Sequence, residues 1–179
     1  MRTLLCCLLV GPLLSLTACT SSDEEPTAAA PTVDEAGLVE GLEAMYAGDN
    51  PDPDDLTEGD CFADALLAST SPEMLRDAGL VDASYAVVTD IPKLEGDLAG
   101  PVADAQLGCT DFIEDSTAAQ VAITKGGLDR EAYAECLTGE LDADTIRASV
   151  IASLMGEWGH PAIERLSTSQ TTCARRVEP

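Results

Sequence analysis

After about residue 33, apolar residues recur with helical spacing along the chain, and several of these stretches open on a capping residue. Leu38, Leu42, Met45 and Tyr46 stand at i, i+4, i+7 and i+8, which predicts an amphipathic helix over 34–47, broken by Asp49-Asn50-Pro51-Asp52-Pro53-Asp54-Asp55. Thr57-Glu58-Gly59-Asp60 sets a hydroxyl at an N-cap with an acid three residues on, so it opens a helix carrying Cys61, Ala65 and Leu66. Ser71-Pro72-Glu73 caps a short helix through Met74 and Leu75 that stops at Gly79. Tyr85-Ala86-Val87-Val88-Thr89 has strand composition without an evident partner, and both a strand and an extended loop fit it. Pro101 starts a helix with Val102, Ala105, Cys109 and Phe112 on one face, which runs to Lys125 and is stopped by Gly126-Gly127. Asp129 caps a helix with Tyr133, Cys136 and Leu137, and Asp142 one with Ile146, Val150, Ile151 and Leu154. The last helix begins near Pro161 and aligns Ile163, Leu166, Gln170 and Cys173.

The N-terminus follows a different rule. Met1-Arg2-Thr3 precedes an apolar run from Leu4 to Leu16, interrupted only by Gly11-Pro12 and Ser15. A basic start and about a dozen apolar residues mark an export signal. A membrane-spanning helix needs ~20 apolar residues, and Pro12 would break it. An ordinary cleavage site wants a small residue at −3, where this chain has Leu16. Leu16-Thr17-Ala18-Cys19 instead resembles the lipobox of bacterial lipoproteins. In that family the Cys thiol takes a diacylglycerol through a thioether, and cleavage leaves the modified Cys as the first residue. The resemblance implies a signal peptide over 1–18, acylation (palmitate included) at Cys19, and a protein held on the extracytoplasmic face of the cell membrane; two acyl chains suffice for stable anchoring. Residues 19–33 are polar, contain Pro26 and Pro31 and lack periodicity, so they read as a flexible tether before a domain over 34–179.

Charge narrows the partners. The chain holds 33 acidic residues against 9 Lys or Arg. Every acid lies after residue 18 and Arg2 leaves with the signal, so the exported part carries 8 basic minus 33 acidic residues, or −25. Such a surface excludes nucleic acid, whose phosphates need clustered cations. It also disfavours electrostatic docking on anionic headgroups, leaving the covalent anchor as the membrane link. The domain has few bulky residues, with Phe62, Phe112, Trp158 and three Tyr as its aromatics, and gains from covalent staples.

Of seven cysteines, Cys6 and Cys7 leave with the signal and Cys19 is the lipidation site. Cys61, Cys109, Cys136 and Cys173 remain, with no Cys-x-x-Cys among them, which points to structural disulfides rather than to zinc or redox chemistry. Four cysteines allow three pairings. The two halves repeat one plan, a helix with a Cys, a capped helix, then a terminal helix with a Cys: Cys61 heads the first copy and Cys109 closes it, while Cys136 heads the second and Cys173 closes it. This plan resembles a group of uncharacterised actinobacterial lipoproteins and secreted proteins built from Cys-bearing helical repeats. The resemblance covers roughly residues 57–175. It rests on Cys61-Phe62-Ala63-Asp64-Ala65-Leu66, on Leu75-Arg76-Asp77-Ala78-Gly79, and on the Cys109, Cys136 and Cys173 helices. It implies an all-α extracytoplasmic domain with two disulfides, and no activity comes with it. Low Lys with abundant Ala, Asp and Gly agrees with a high-GC actinobacterial source. With the repeated plan, the expected fold is a small helical bundle of two Cys-stapled repeats, pairing Cys61 with Cys109 and Cys136 with Cys173.

Candidate chemistry is sparse. His160, in Gly159-His160-Pro161, has no nucleophile motif beside it and reads as a loop residue. The acids from Asp49 to Asp60 do not follow EF-hand spacing and read as a solvated loop between helices. Trp158, between Gly156 and Gly159, is either an exposed recognition residue or an aromatic plug at one end of the bundle, with the plug favoured. No catalytic residue, metal ligand or cofactor is expected. The leading reading is a non-enzymatic envelope lipoprotein that binds a protein or small ligand. Its rivals are a hydrolase using paired carboxylates from different helices and a purely structural surface protein. A concave pocket with two facing acids of raised pKa would favour the hydrolase, and an apolar patch around Trp158 or on the first helix a partner.

Overall fold

A computed structural model of the chain describes residues 32–177, so the signal sequence, Cys19 and all but the end of the tether lie outside the described residues. Eight α-helices and one short 3-10 turn account for the regular structure among the described residues. The fold is all-helical, as the periodicity predicts.

Helix α1 (Glu35–Ala47) is capped by Asp34, whose carboxylate accepts the Gly37 amide at 3.2 Å. Val33, assigned to the tether above, already packs on the core beneath α1. Helix α2 (Pro53–Ser69) begins four residues before the expected Thr57. Asp52 and Asp55 form the capping box: Asp52 Oδ1 accepts the Asp54 and Asp55 amides at 2.8 and 3.1 Å, and Asp55 Oδ2 accepts the Asp52 amide at 2.8 Å. The Thr57 hydroxyl, one turn inside, donates to the Pro53 carbonyl. Much of the expected acidic loop is therefore the first turns of a helix, where carboxylates complement the helix dipole.

The N-terminal lobe closes around α2. Gly59 faces α1 so closely that an added Cβ would lie 2.8 Å from the Glu43 carbonyl oxygen, and the absence of a side chain is what lets the two helices meet. Phe62 and Leu66 are fully buried beside Leu38 and Leu42 of α1, and Phe62 stacks on Tyr46 with ring centroids 4.4 Å apart. Ser71 caps α3 (Pro72–Asp77) as expected. Residues 85–89 form no strand. They are an extended loop with a single antiparallel bridge, Val81 to Val87, because nothing pairs with the other edge. After the 3-10 turn Gly96–Leu98, α4 (Ala99–Cys109) returns along α2, and Cys109 bonds Cys61 with 5.7 Å between the Cα atoms.

The expected helix over 101–125 is two helices. Thr110 is extended and Asp111 caps α5 (Phe112–Ile123), its Oδ1 accepting the Ile113 and Glu114 amides at 3.1 Å each. A carboxylate that satisfies two amides competes with helix continuation at that point. Helices α6 (Arg130–Glu140) and α8 (Pro161–Val177) build the C-terminal lobe with α5 around Tyr133, Leu137 and Cys173, and Cys136 bonds Cys173 with Cα atoms 5.6 Å apart.

Helix α7 (Ala143–Leu154) joins the lobes. Its Ile146 packs into the C-terminal core, whereas Ile151 and Leu154, near its other end, pack into the N-terminal one. Across α4 and α7, Arg147 grips Asp104 with two bonds, Nε to Oδ1 at 2.6 Å and a second guanidinium nitrogen to Oδ2 at 2.8 Å.

Candidate functional site

The ends of the two lobes leave an open groove of about 680 Å³ along α7. One wall is the segment 91–93, held in place where the Leu94 amide donates to the Leu154 carbonyl at 2.9 Å. The floor is one face of α7, with Ser149, Val150, Ser153 and Leu154. The far side comes from Gln106 of α4, Phe112 at the start of α5 and Leu166 of α8. Trp158, in the turn between α7 and α8, stands at the edge with 70% of its surface exposed.

Backbone geometry sets that edge. Gly156 ends α7 with φ +66°; its amide donates to the Ser153 carbonyl and the Glu157 amide to the Ala152 carbonyl, a Schellman closure that calls for glycine. The missing side chain also makes a seat. The Lys93 stem lies over Gly156, with Cε 3.3 Å from where a Cβ would stand. Lys93 is thereby laid beside the groove with its ammonium in no ion pair among the described residues.

The groove has two chemical properties. First, it contains no carboxylate, although the exported chain carries 33 acids, and its only charged residue is Lys93. Second, its hydroxyls are already committed as donors: Ser149 donates to the Ile146 carbonyl at 2.7 Å and Ser153 to the Ser149 carbonyl at 2.8 Å. The rest of the lining is largely apolar. Small-molecule sites have this make-up, mostly apolar walls with a few placed polar groups in about 300–1,000 Å³.

The other expected positions resolve as follows. Trp158 does not plug the bundle; at 70% exposure it flanks the groove, because the bundle end is already closed by α7 and segment 91–95. The His160 ring is tied to its own helix start, with Nδ1 accepting the Ala162 amide at 3.2 Å. It borders a separate shallow cavity with Asp144, Arg147 and Glu157. No group of three or more His, Cys, Asp or Glu residues among the described ones could hold a metal ion. Cys61, Cys109, Cys136 and Cys173 are all in disulfides, and Cys19 lies outside the described residues.

Two carboxylates with raised pKa do come together from different helices. Partial burial, then the Asp115 charge and the acids at the start of α2, push Glu58 up. Burial and Asp111 push Asp115 up. Beside them, burial and then Glu58 push the Tyr46 phenol up to about 12. Neither carboxylate lines the groove. Among the described residues, no helix is long and apolar enough to cross a membrane.

Comparison of the chain with protein-family models, with curated proteins and with solved structures returns no match.

Proposed function

We propose that the chain is an extracytoplasmic lipoprotein anchored through Cys19, and that its helical domain is a non-enzymatic binding module whose ligand face is the groove beside Trp158. The observation that carries the binding role is the groove itself, free of carboxylates and edged by an exposed indole in a chain dominated by acids. The anchor rests on the lipobox resemblance of Leu16-Thr17-Ala18-Cys19. Kinship with the actinobacterial Cys-repeat lipoproteins belongs to the same proposal.

Both parts are testable in cells. Replacing Cys19 with Ala should leave an unprocessed precursor that takes up no labelled fatty acid; continued labelling would refute the anchor. For the groove, a photo-crosslinking residue placed at Trp158 or at Ile123, itself 73% exposed, should give adducts, protein or lipid, at position 158 that are absent at 123. Equal adducts at both positions, or none at 158, would refute the binding face.

A hydrolase remains the second reading because Glu58 and Asp115 form a pair of raised acids on two helices. The pair stands apart from the groove, so the two readings concern different faces of the domain.

A further inference from the structure

We propose that the groove takes the chain of a dissolved single-chain amphiphile whose anionic head pairs with Lys93. This inference rests on the reading of the groove as the binding face and names its ligand class.

The interior selects for hydrocarbon. Val150, Leu154, Phe112 and Leu166 supply apolar surface. The backbone of α7 is hydrogen-bonded within its own helix, and Ser149 and Ser153 have already donated their hydroxyl protons. An extended peptide laid here would find no strand edge to pair with its own amides, and burying an unpaired amide costs roughly 1–3 kcal/mol. A hydrocarbon chain has no such groups to satisfy.

The polar end selects for an anion. Lys93 is the only charged residue of the lining and is free of ion pairs among the described residues. Its stem is laid over Gly156, so its ammonium stands at one edge rather than along the length. Neutral donors also line the groove, the Gln106 carboxamide on its far side and the Trp158 indole at its edge, and neither repels an oxygen-bearing head. A single positive pole next to an apolar trough matches one terminal anion on one chain.

The remaining acids do not veto this. Asp77, Glu95 and Asp97 border a second cavity that Lys93 also lines, but none of them comes within ion-pair distance of its ammonium and none lines the groove; the acids farther off are screened beyond roughly 8–10 Å at physiological ionic strength. They do disfavour an anionic bilayer, which would meet the acidic surface over a wide area, so the ligand is taken as a dissolved monomer rather than as part of a membrane.

The chain carries one tryptophan, Trp158, so intrinsic emission reads the groove directly. The exported chain, residues 19–179 with Cys19→Ser so that no acyl chain of its own competes, is titrated with laurate below its micelle concentration. A saturable blue shift is expected. Lys93→Gln should weaken binding at least tenfold, Lys93→Arg should retain it, and Lys125→Gln, on the exposed turn after α5, should leave it unchanged. Dodecyltrimethylammonium should bind at least tenfold more weakly than laurate, acetate should not compete, and vesicles of anionic phospholipid should not shift the emission. No shift with laurate, equal binding of the cationic amphiphile, an unaffected Lys93→Gln variant of unchanged melting temperature, competition by acetate, or a response to vesicles alone would each overturn the proposal. If laurate fails while position 158 still captures specific adducts in cells, the binding face stands and only the ligand class falls.

Discussion

Around α2 and α4 the Cys61–Cys109 bond borders a core that is already filled by Phe62, Leu66, Leu75, Leu80 and Leu94, and Cys61 itself is exposed. Around α6 and α8 the Cys136–Cys173 bond is part of the core, where fully buried Cys173 stands with Tyr133 and Leu137 and where fewer large apolar residues are available. The two lobes share a plan of stapled helices but use the staple differently. In the first it ties down a surface that packing would hold; in the second it supplies some of the packing. Helix α7 makes up part of the difference by lending each lobe one end.

Breaking each staple should separate these roles with the largest effect. The bonds span 48 and 37 residues, and loops of that length are worth about 4 kcal/mol each through the entropy of the unfolded chain. On that ground alone the two losses would be nearly equal. The Cys136→Ala, Cys173→Ala pair additionally empties a buried position, so we expect it to lower stability further than Cys61→Ala, Cys109→Ala. Amide exchange should show α6 and α8 opening while α1 and α2 stay protected. Equal losses, with exchange rising evenly through both lobes, would mean that the staples act alike.

The next effect tests how the N-terminal lobe gains its density. Gly59→Ala would improve helix propensity by up to ~1 kcal/mol in an isolated helix. In the folded protein the new Cβ meets the Glu43 carbonyl oxygen at 2.8 Å, a backbone atom that moves only if α1 moves. Overpacking of this kind costs about 1–3 kcal/mol, so a net loss is expected in chemical denaturation. A stabilised variant would show that α1 rides loosely on α2.

Gly59 also marks the limit of what the sequence discloses. Its place inside a Thr-initiated capping signature, two residues after Thr57, concealed its actual role, because a hydroxyl and an acid at 57 and 60 imitate a cap that Asp52 and Asp55 make about one turn earlier. The caps at Ser71, Asp129 and Asp142 were readable, since each precedes a periodic apolar run without a competitor. The break at Asp111 was not, because apolar spacing continues across it from Cys109 to Phe112 while the local hydrogen bonds of one carboxylate decide the outcome. The disulfide pairing followed from the repeat. The groove did not, as its lining comes from five separate segments, and neither the absence of acids there nor the seat of Lys93 on Gly156 exists before folding. Trp158 was conspicuous in the sequence, but its setting between glycines favoured a plug over the exposed edge that it takes.

The smallest expected effect lies where the lobes meet. Glu58 belongs to α2 and Asp115 to α5, and burial followed by their mutual charge raises the Glu58 pKa in the folded protein. A carboxyl group whose folded pKa lies above its unfolded value binds its proton more tightly in the native state. Its contribution to stability is therefore fully present below the unfolded Glu value of about 4.3 and is lost as pH rises through the raised folded value. At neutral pH the native protein has thus lost this contribution, and Glu58→Gln, which cannot ionise, should be more stable than the parent. The gain should stay below about 1 kcal/mol, the scale of interactions between charges in contact with solvent. It should shrink as the pH is lowered toward 4, where the parent carboxyl is protonated as well. Melting curves of both proteins from pH 4 to 8 will read the difference. A variant less stable at every pH would mean that the ionised carboxylate is held by partners outside this pair and that the seam between the lobes is not a site of repulsion.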